Sequence, residues 1–321
     1  MVALMFILIH IVAPTPVQMA RLYAPNPRVP EAQLLDLAKR LGYTQPLYVQ
    51  FLDYLKDVFT FNFGTDVLYK VPELQIIGQY LPITLELVII GQILGVLIGI
   101  FTGAISASNR NTKTDYVIKG VYLVTWSSPV FLVAVALQLT LAYWLNLLPS
   151  SGIANSFLNA PAKVTGFPIV DSIIAGNWTY LASVLQHLVL PALTIAIIGF
   201  GVITRLTRAS MVDALDREYV KLAYMKGLSK RKVVFGTAFR NALIPVVTLI
   251  ALLFGFAVGG AVVVEDIFLY KGLGYFTVQA VLNIDYVALL AITVIFGISI
   301  IIANFIADLL YGVIDPRVRV S

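Results

Sequence analysis

Few side chains in this 321-residue chain are spaced to make or break a bond. His10 and His187 are its only histidines, and there is no cysteine. Thiol catalysis, disulfides, Cys-ligated zinc and iron–sulfur clusters are therefore excluded. The two imidazoles lie far apart and fit no metal-ligand spacing. No G-x-x-x-x-G-K-[ST] pattern occurs, so the chain is not expected to hydrolyse ATP. Neither H-E-x-x-H nor G-x-S-x-G occurs. Gly199-Phe200-Gly201 half-matches a dinucleotide motif but lacks the third glycine and lies in an apolar run.

Two acids stand inside long apolar runs, where ionised groups are costly and often functional. Glu86 follows Pro82 by four residues and reads as an interfacial or structural group, with substrate contact as the other reading. Asp308 lies shortly before Asp315-Pro316-Arg317 and reads as a structural acid paired with Arg317 or a loop base. Neither suits a mid-membrane proton relay. Ser127, Ser128 and Gln138 flank Pro129 and could line a polar path through a helix that the proline kinks. His187, just before Pro191, reads as a satisfied interface histidine.

These residues must be held by membrane helices. The chain is 59% hydrophobic and 12% charged, with a mean hydropathy of +0.89. A soluble domain is typically about 45–50% apolar and about 25% charged. A soluble globular protein, a disordered chain and a nucleic-acid binder are nearly ruled out. Runs at 83–105, 117–145, 184–204, 243–264 and 286–311 can each cross a bilayer core of about 30 Å. Met1–Ala13 is too short to span alone and lacks the marks of a secretory signal, so it counts as a partial first span. The expected fold is all-α, polytopic, with about six transmembrane helices. Residues 1–82 form the partial span plus an extracellular cap, 83–315 the transmembrane domain, and 316–321 a cytoplasmic tail.

Charge sets the expected topology. Three bases lie in 106–119, nine in 205–240 and two in the tail. Opposite them stand Lys163, Lys271 and six bases in the long, acid-balanced segment 14–82. The positive-inside rule then puts 106–119, 205–240 and the C-terminus in the cytoplasm of a plasma-membrane protein. Asn177-Trp178-Thr179, a glycosylation acceptor pattern, falls on the outer side. In the cap, prolines from Pro14 to Pro30 forbid a continuing helix, and amphipathic helices are expected at 31–40 and 47–59. Gly91, Gly95, Gly99 and Gly103 make three G-x-x-x-G steps on one helix face, suited to close packing within the chain or against a second subunit.

The basic loop 205–240 has internal structure. Residues 218–226 lack Pro and Gly, Gly227 ends a helix, and Ser229 is placed to cap the next, from Lys230 to Phe239. Val220, Ala223, Tyr224 and Gly227 share a face, and the small Ala223 and Gly227 would let another surface approach closely.

Glu218 to Ser229 resembles the EAA loop of permeases in ATP-binding-cassette (ABC) importers. Arg240-Asn241-Ala242-Leu243-Ile244-Pro245 continues in the manner of the oligopeptide/dipeptide (Opp/Dpp) branch. His187 to Thr194, then Glu265, Phe268 and Gly272-Leu273-Gly274, then Asn304, Asp308 to Tyr311 and Asp315-Pro316-Arg317, resemble that branch in the same order. The resemblance implies a permease without a cofactor of its own. It implies a second homologous permease, two ABC ATPase subunits that bind ATP and Mg, and an extracellular solute-binding protein. Glu218, Tyr219, Lys221, Ala223, Gly227 and Ser229 would couple to the ATPase. Substrates of such permeases are di- or oligopeptides, with oligosaccharides and nickel among relatives. The other class left open is a secondary transporter or channel, which would show inverted repeats and mid-membrane charges.

Overall fold

The structure is a computed structural model and describes residues 2–24, 28–66 and 69–314. The tail 316–321, and with it Arg317 as a partner for Asp308, lies outside the described residues. Among these residues all regular structure is helical, apart from one isolated bridge between Thr65 and Pro72.

The apolar N-terminus forms α1 (Val2–Val12). Pro14 and Pro16 turn the chain by 108° into α2 (Pro16–Leu22), which Thr15 and Gln18 open with a reciprocal capping box. α3 (Glu31–Arg40) and α4 (Leu47–Phe59) occupy the two stretches where amphipathic spacing places helices. Ala20, Leu34 and Ala38 make a small buried core between α2 and α3. His10 ties α1 to α4, its Nε2 lying 3.0 Å from Gln50 Oε1.

The body is built on α5 (Glu73–Ser108) and α9 (Trp178–Leu215). α6 (Lys113–Ser127) and α7 (Val130–Leu137) connect them, followed by a π-helical turn at Gln138–Trp144 and the short α8 (Pro168–Ile174). Pro129 does more than kink the 117–145 run: the helices on either side of it meet at 109°. Ser128 before it is extended, as the proline ring requires of its predecessor. After α9 come α10 (Glu218–Met225), α11 (Lys230–Lys232), a π-helical stretch Val233–Ala238, α12 (Phe239–Ile267), α13 (Leu273–Leu282) and α14 (Tyr286–Ile314). Among the described residues four helices are long and apolar enough to cross a bilayer, and the two bent pairs bring the number to as many as six.

The glycine stripe decides how α5 meets α9. A Cβ on Gly91 would lie 2.8 Å from Ile195 Cβ, on Gly95 2.9 Å from Ala196 O, on Gly99 2.7 Å from Ile203 Cβ, and on Gly103 2.6 Å from Thr207 Cβ. All four neighbours belong to α9, so the stripe is covered within this chain. Lipid offers no hydrophobic drive for helices to associate, and close backbone packing takes its place.

At one end of the bundle, Ile83, Leu87, Leu188, Leu190, Val264 and Phe268 form a core where α5, α9 and α12 converge. At the other end, Ala104 and Ala107 of α5 meet Met211 and Ala214 of α9 and residues of α10 and α12. At about 1.5 Å per residue, the stretch of α5 from Leu87 to Ala107 separates these two cores by about 30 Å.

Candidate functional site

α10 is a two-turn helix packed on the π-helical stretch Val233–Ala238. Val220 and Ala223 are buried against Ala104, Met211, Val233 and Ala242. This corrects the expectation for Ala223. Of the face that its spacing singles out, Val220 and Ala223 are turned into the protein and covered chiefly by the π-helical stretch 233–238, whereas Tyr224 and Gly227 are exposed. The face left open carries Glu218, Tyr219, Lys221, Leu222, Met225 and Lys226. Met225 is 81% exposed and Leu222 53%. An apolar pair so exposed at the end of a bundle, ringed by charges, is a surface prepared for contact. Glu218 and Lys221 pair with each other at 2.8 Å, and that carboxylate raises the lysine pKa.

Gly227 ends α10 with φ +75°, and its Leu228 N–H reaches back to Ala223 O. A Cβ there would meet nothing of this chain within 4 Å, so within this chain the glycine serves the backbone turn. A left-handed residue costs about 1–2 kcal/mol in any other L-residue. Gly227→Ala is therefore expected to lower stability by about 1 kcal/mol, readable as a modest fall in Tm, without a clash. Ser229 makes no capping hydrogen bond; it is exposed, and the helix it was expected to open runs three residues before passing into the π-helical stretch.

Beside α10, Asp115 is fully buried and accepts five contacts from four residues. Arg208 donates from Nε to Oδ1 at 2.7 Å and from a terminal nitrogen to Oδ2 at 2.9 Å. Lys119 Nζ lies 2.8 Å from Oδ2, Ser106 Oγ donates at 2.6 Å and Asn111 N–H at 3.0 Å. This network joins α5, α6 and α9 next to the α10 seat. Sequence reasoning missed it. The available signal was the Asp115/Lys119 pair at i, i+4 spacing.

The opposite end is closed by a polar knot. Ile169 N–H donates to Glu86 Oε2 at 3.0 Å, so Glu86 holds the first turn of α8. Glu265 Oε2 accepts Tyr275 N–H at 3.0 Å, and Thr84 Oγ1 accepts Leu273 N–H at 2.7 Å. A Cβ on Gly272 would lie 2.5 Å from both Glu265 Oε2 and Thr84 Oγ1, which is why glycine stands there. Tyr270 is fully buried beside these acids, and burial pushes its phenol pKa up. Asp171 is also buried; burial alone would raise its pKa, but main-chain and hydroxyl donors at Thr165 and Gly166 outweigh that and lower it. A polar cleft of about 470 Å³ opens here, lined among others by Asn155, Ser183, Gln186, His187 and Lys271. His187 Nδ1 lies 2.7 Å from Ser183 O, the satisfied histidine expected.

The residues expected along a polar path do not converge on one. Ser127 and Ser128 both donate to Val124 O on their own helix. Gln138 donates to Ser150 O at 2.8 Å and ties the π-helical turn to the loop that follows. Asn177 accepts Tyr180 N–H as the N-cap of α9, while its amide nitrogen donates to Asn159 O.

The family of binding-protein-dependent transport system inner membrane components matches residues 95–320, which hold α10 and most of the long helices. The chain belongs to this family. It is a multi-pass membrane permease. It is 34% identical over 313 residues to the probable D,D-dipeptide transport system permease protein DdpB of Escherichia coli K12, covering 98% of this chain and 91% of that one. It is 32% identical to the dipeptide permease DppB of Alkalihalophilus pseudofirmus, covering 98% and 93%. It is 34% identical to the oligopeptide permease AppB of Bacillus subtilis, covering 92% and 87%. Among solved structures, the inward-facing MetNI methionine ABC transporter matches with a TM-score of 0.54 at 14% identity, covering 73% of this chain and 93% of that chain, a likeness of fold. In this permease the EAA-like stretch is α10 and its Gly227 turn.

Proposed function

We propose that this permease imports peptides delivered by an extracellular solute-binding protein, driven by two ABC ATPases through α10 and working beside a second homologous permease. The observation that carries the reading is the two-sided α10. Val220 and Ala223 on its inner side are packed on the π-helical stretch that leads into α12 and share a buried core with the ends of α5, α9 and α12, and its outer side exposes Tyr219, Leu222 and Met225. A push on that outer face moves three spans together, which is what alternating access requires of a coupling element. The α10 end is then cytoplasmic and the Glu86–Glu265 knot external, in keeping with the positive-inside count. ATP and Mg stay with the partners, and this chain needs no cofactor. The names of the permeases it resembles favour peptides over oligosaccharides or nickel.

The test of coupling is purification with the ATPase subunits. A central apolar interface residue carries about 2 kcal/mol or more, a loss of roughly thirtyfold in affinity. Met225→Asp and Leu222→Asp are expected to shed the ATPases while the permease keeps its Tm. Full ATPase retention by both variants would refute α10 as the contact, and a chain that transports without any ATPase would restore the secondary-transporter reading. Substrate class is read from ATPase activity of the complex in lipid, with its binding protein and a panel of peptides and oligosaccharides. Stimulation by peptides is expected; stimulation by sugars alone would reverse that assignment.

A further inference from the structure

Three carboxylates meet at the end of the bundle remote from α10. Asp66 precedes α5, Glu73 is the first residue of α5, and Asp285 immediately precedes α14. One oxygen of each lies within 4.8 Å of those of the other two. All three side chains are buried, and Glu73 has 0% exposure.

Main-chain bonds hold the acids in place. Glu73 N–H donates to Gly64 O at 3.1 Å, Asp66 N–H to Val71 O at 3.0 Å, and Lys70 N–H to Asp66 O at 3.1 Å. Tyr69 N–H donates to Asp66 Oδ1. Asp285 Oδ1 accepts Ala288 N–H at 3.1 Å at the start of α14.

Glu73 separates this cluster from a set of ordinary caps. Among the described residues, neither of its carboxylate oxygens meets a main-chain, hydroxyl or cationic hydrogen-bond donor, and Asp285 Oδ2 meets none. Among the described residues no lysine, arginine or histidine forms an ion pair with Glu73 or Asp285. A buried carboxylate with neither donor nor counter-charge is among the costliest arrangements in a protein. Two further carboxylates aimed at the same point add repulsion.

We propose that Asp66, Glu73 and Asp285 bind one hard divalent cation, Ca²⁺ in preference to Mg²⁺, which clasps the head of α5 to the head of α14. The donor set is all oxygen, which suits calcium or magnesium and not zinc or copper. Calcium takes ligands at about 2.3–2.6 Å, so it bridges oxygens up to about 5 Å apart. Magnesium needs them at about 2.0–2.1 Å in near-ideal octahedral geometry, so it bridges oxygens only up to about 4.2 Å apart. The clasp rests on the fold alone, so its failure leaves the transport reading intact.

The full-length permease, stripped with EGTA, is titrated with Ca²⁺ or Mg²⁺ by calorimetry, and its Tm is followed in parallel. One Ca²⁺ per chain is expected, with a Kd of about 10⁻⁴–10⁻³ M and a Tm rise of about 2–5 °C at 10 mM. Mg²⁺ is expected to give less than half of that shift. Glu73→Gln and Asp285→Asn should each weaken Ca²⁺ binding at least about tenfold, since each removes one of three charged ligands. Both variants relieve repulsion and are expected to fold; if one does not, the other decides. No saturable binding up to 10 mM overturns the proposal, as does equal affinity in both variants. A Tm that rises on acidification in EGTA and is indifferent to Ca²⁺ also overturns it, and shows that the acids share protons instead.

Discussion

Arg208→Met is expected to destabilise the permease by about 3–5 kcal/mol. Asp115 beneath it is fully buried, and Arg208 grips both of its oxygens. Removing the guanidinium leaves a buried carboxylate held by Lys119, Ser106 and one main-chain N–H. Lys119 is 26% exposed and long, so it compensates only in part. The pair joins α6 to α9 beside the α10 seat, so the variant should also loosen that seat. An SDS- or heat-unfolding titration reads the effect. Replacing both partners, Arg208→Met with Asp115→Leu, should recover most of the loss, because an apolar pair of similar volume is often as stable as a buried ion pair. A single-variant cost under about 1 kcal/mol would mean that the acid is solvated or protonated, and the network would lose its structural role.

The second large effect is expected on the glycine stripe. A Cβ at Gly95 would sit 2.9 Å from Ala196 O and 3.1 Å from Ala196 Cα, both backbone atoms that cannot turn aside. Gly95→Ala then costs about 1–3 kcal/mol of overpacking, against about 1 kcal/mol gained in helix propensity. Gly95→Leu should drive α5 off α9 and leave little folded protein. Gly120 is the contrasting site: it lies inside α6 with nothing within 4 Å of its Cβ position. There Gly→Ala should stabilise by about 0.5–1 kcal/mol. Opposite signs at the two sites, measured as Tm under one condition, are the expected result. A rise in Tm for Gly95→Ala would show that the helices are farther apart than described.

Several elements were legible beforehand for local reasons. The helices at 31–40 and 47–59 follow from amphipathic spacing between prolines, and the break at Pro129 from its missing donor and its ring. The turn at Gly227 follows from a left-handed residue at a helix end. The outward face of α10 was not legible. Its apolar spacing marks Val220 and Ala223, and spacing alone does not say whether such a face meets a partner or the chain's own helix ends. The acid cluster was equally hidden, since Glu73 and Asp285 stand more than two hundred residues apart.

Composition, hydropathy runs and an ordered set of short motifs by themselves determined that this is a helical membrane permease of a binding-protein-dependent system. Those properties depend on neighbours along the chain, and a sequence displays neighbours along the chain. The tertiary structure alone decided which helix the glycines meet, that Arg208 answers Asp115, and that three acids converge with Glu73 left without a donor. Each of those facts is a pairing between distant segments, set by how long helices cross and close, and no local spacing encodes it.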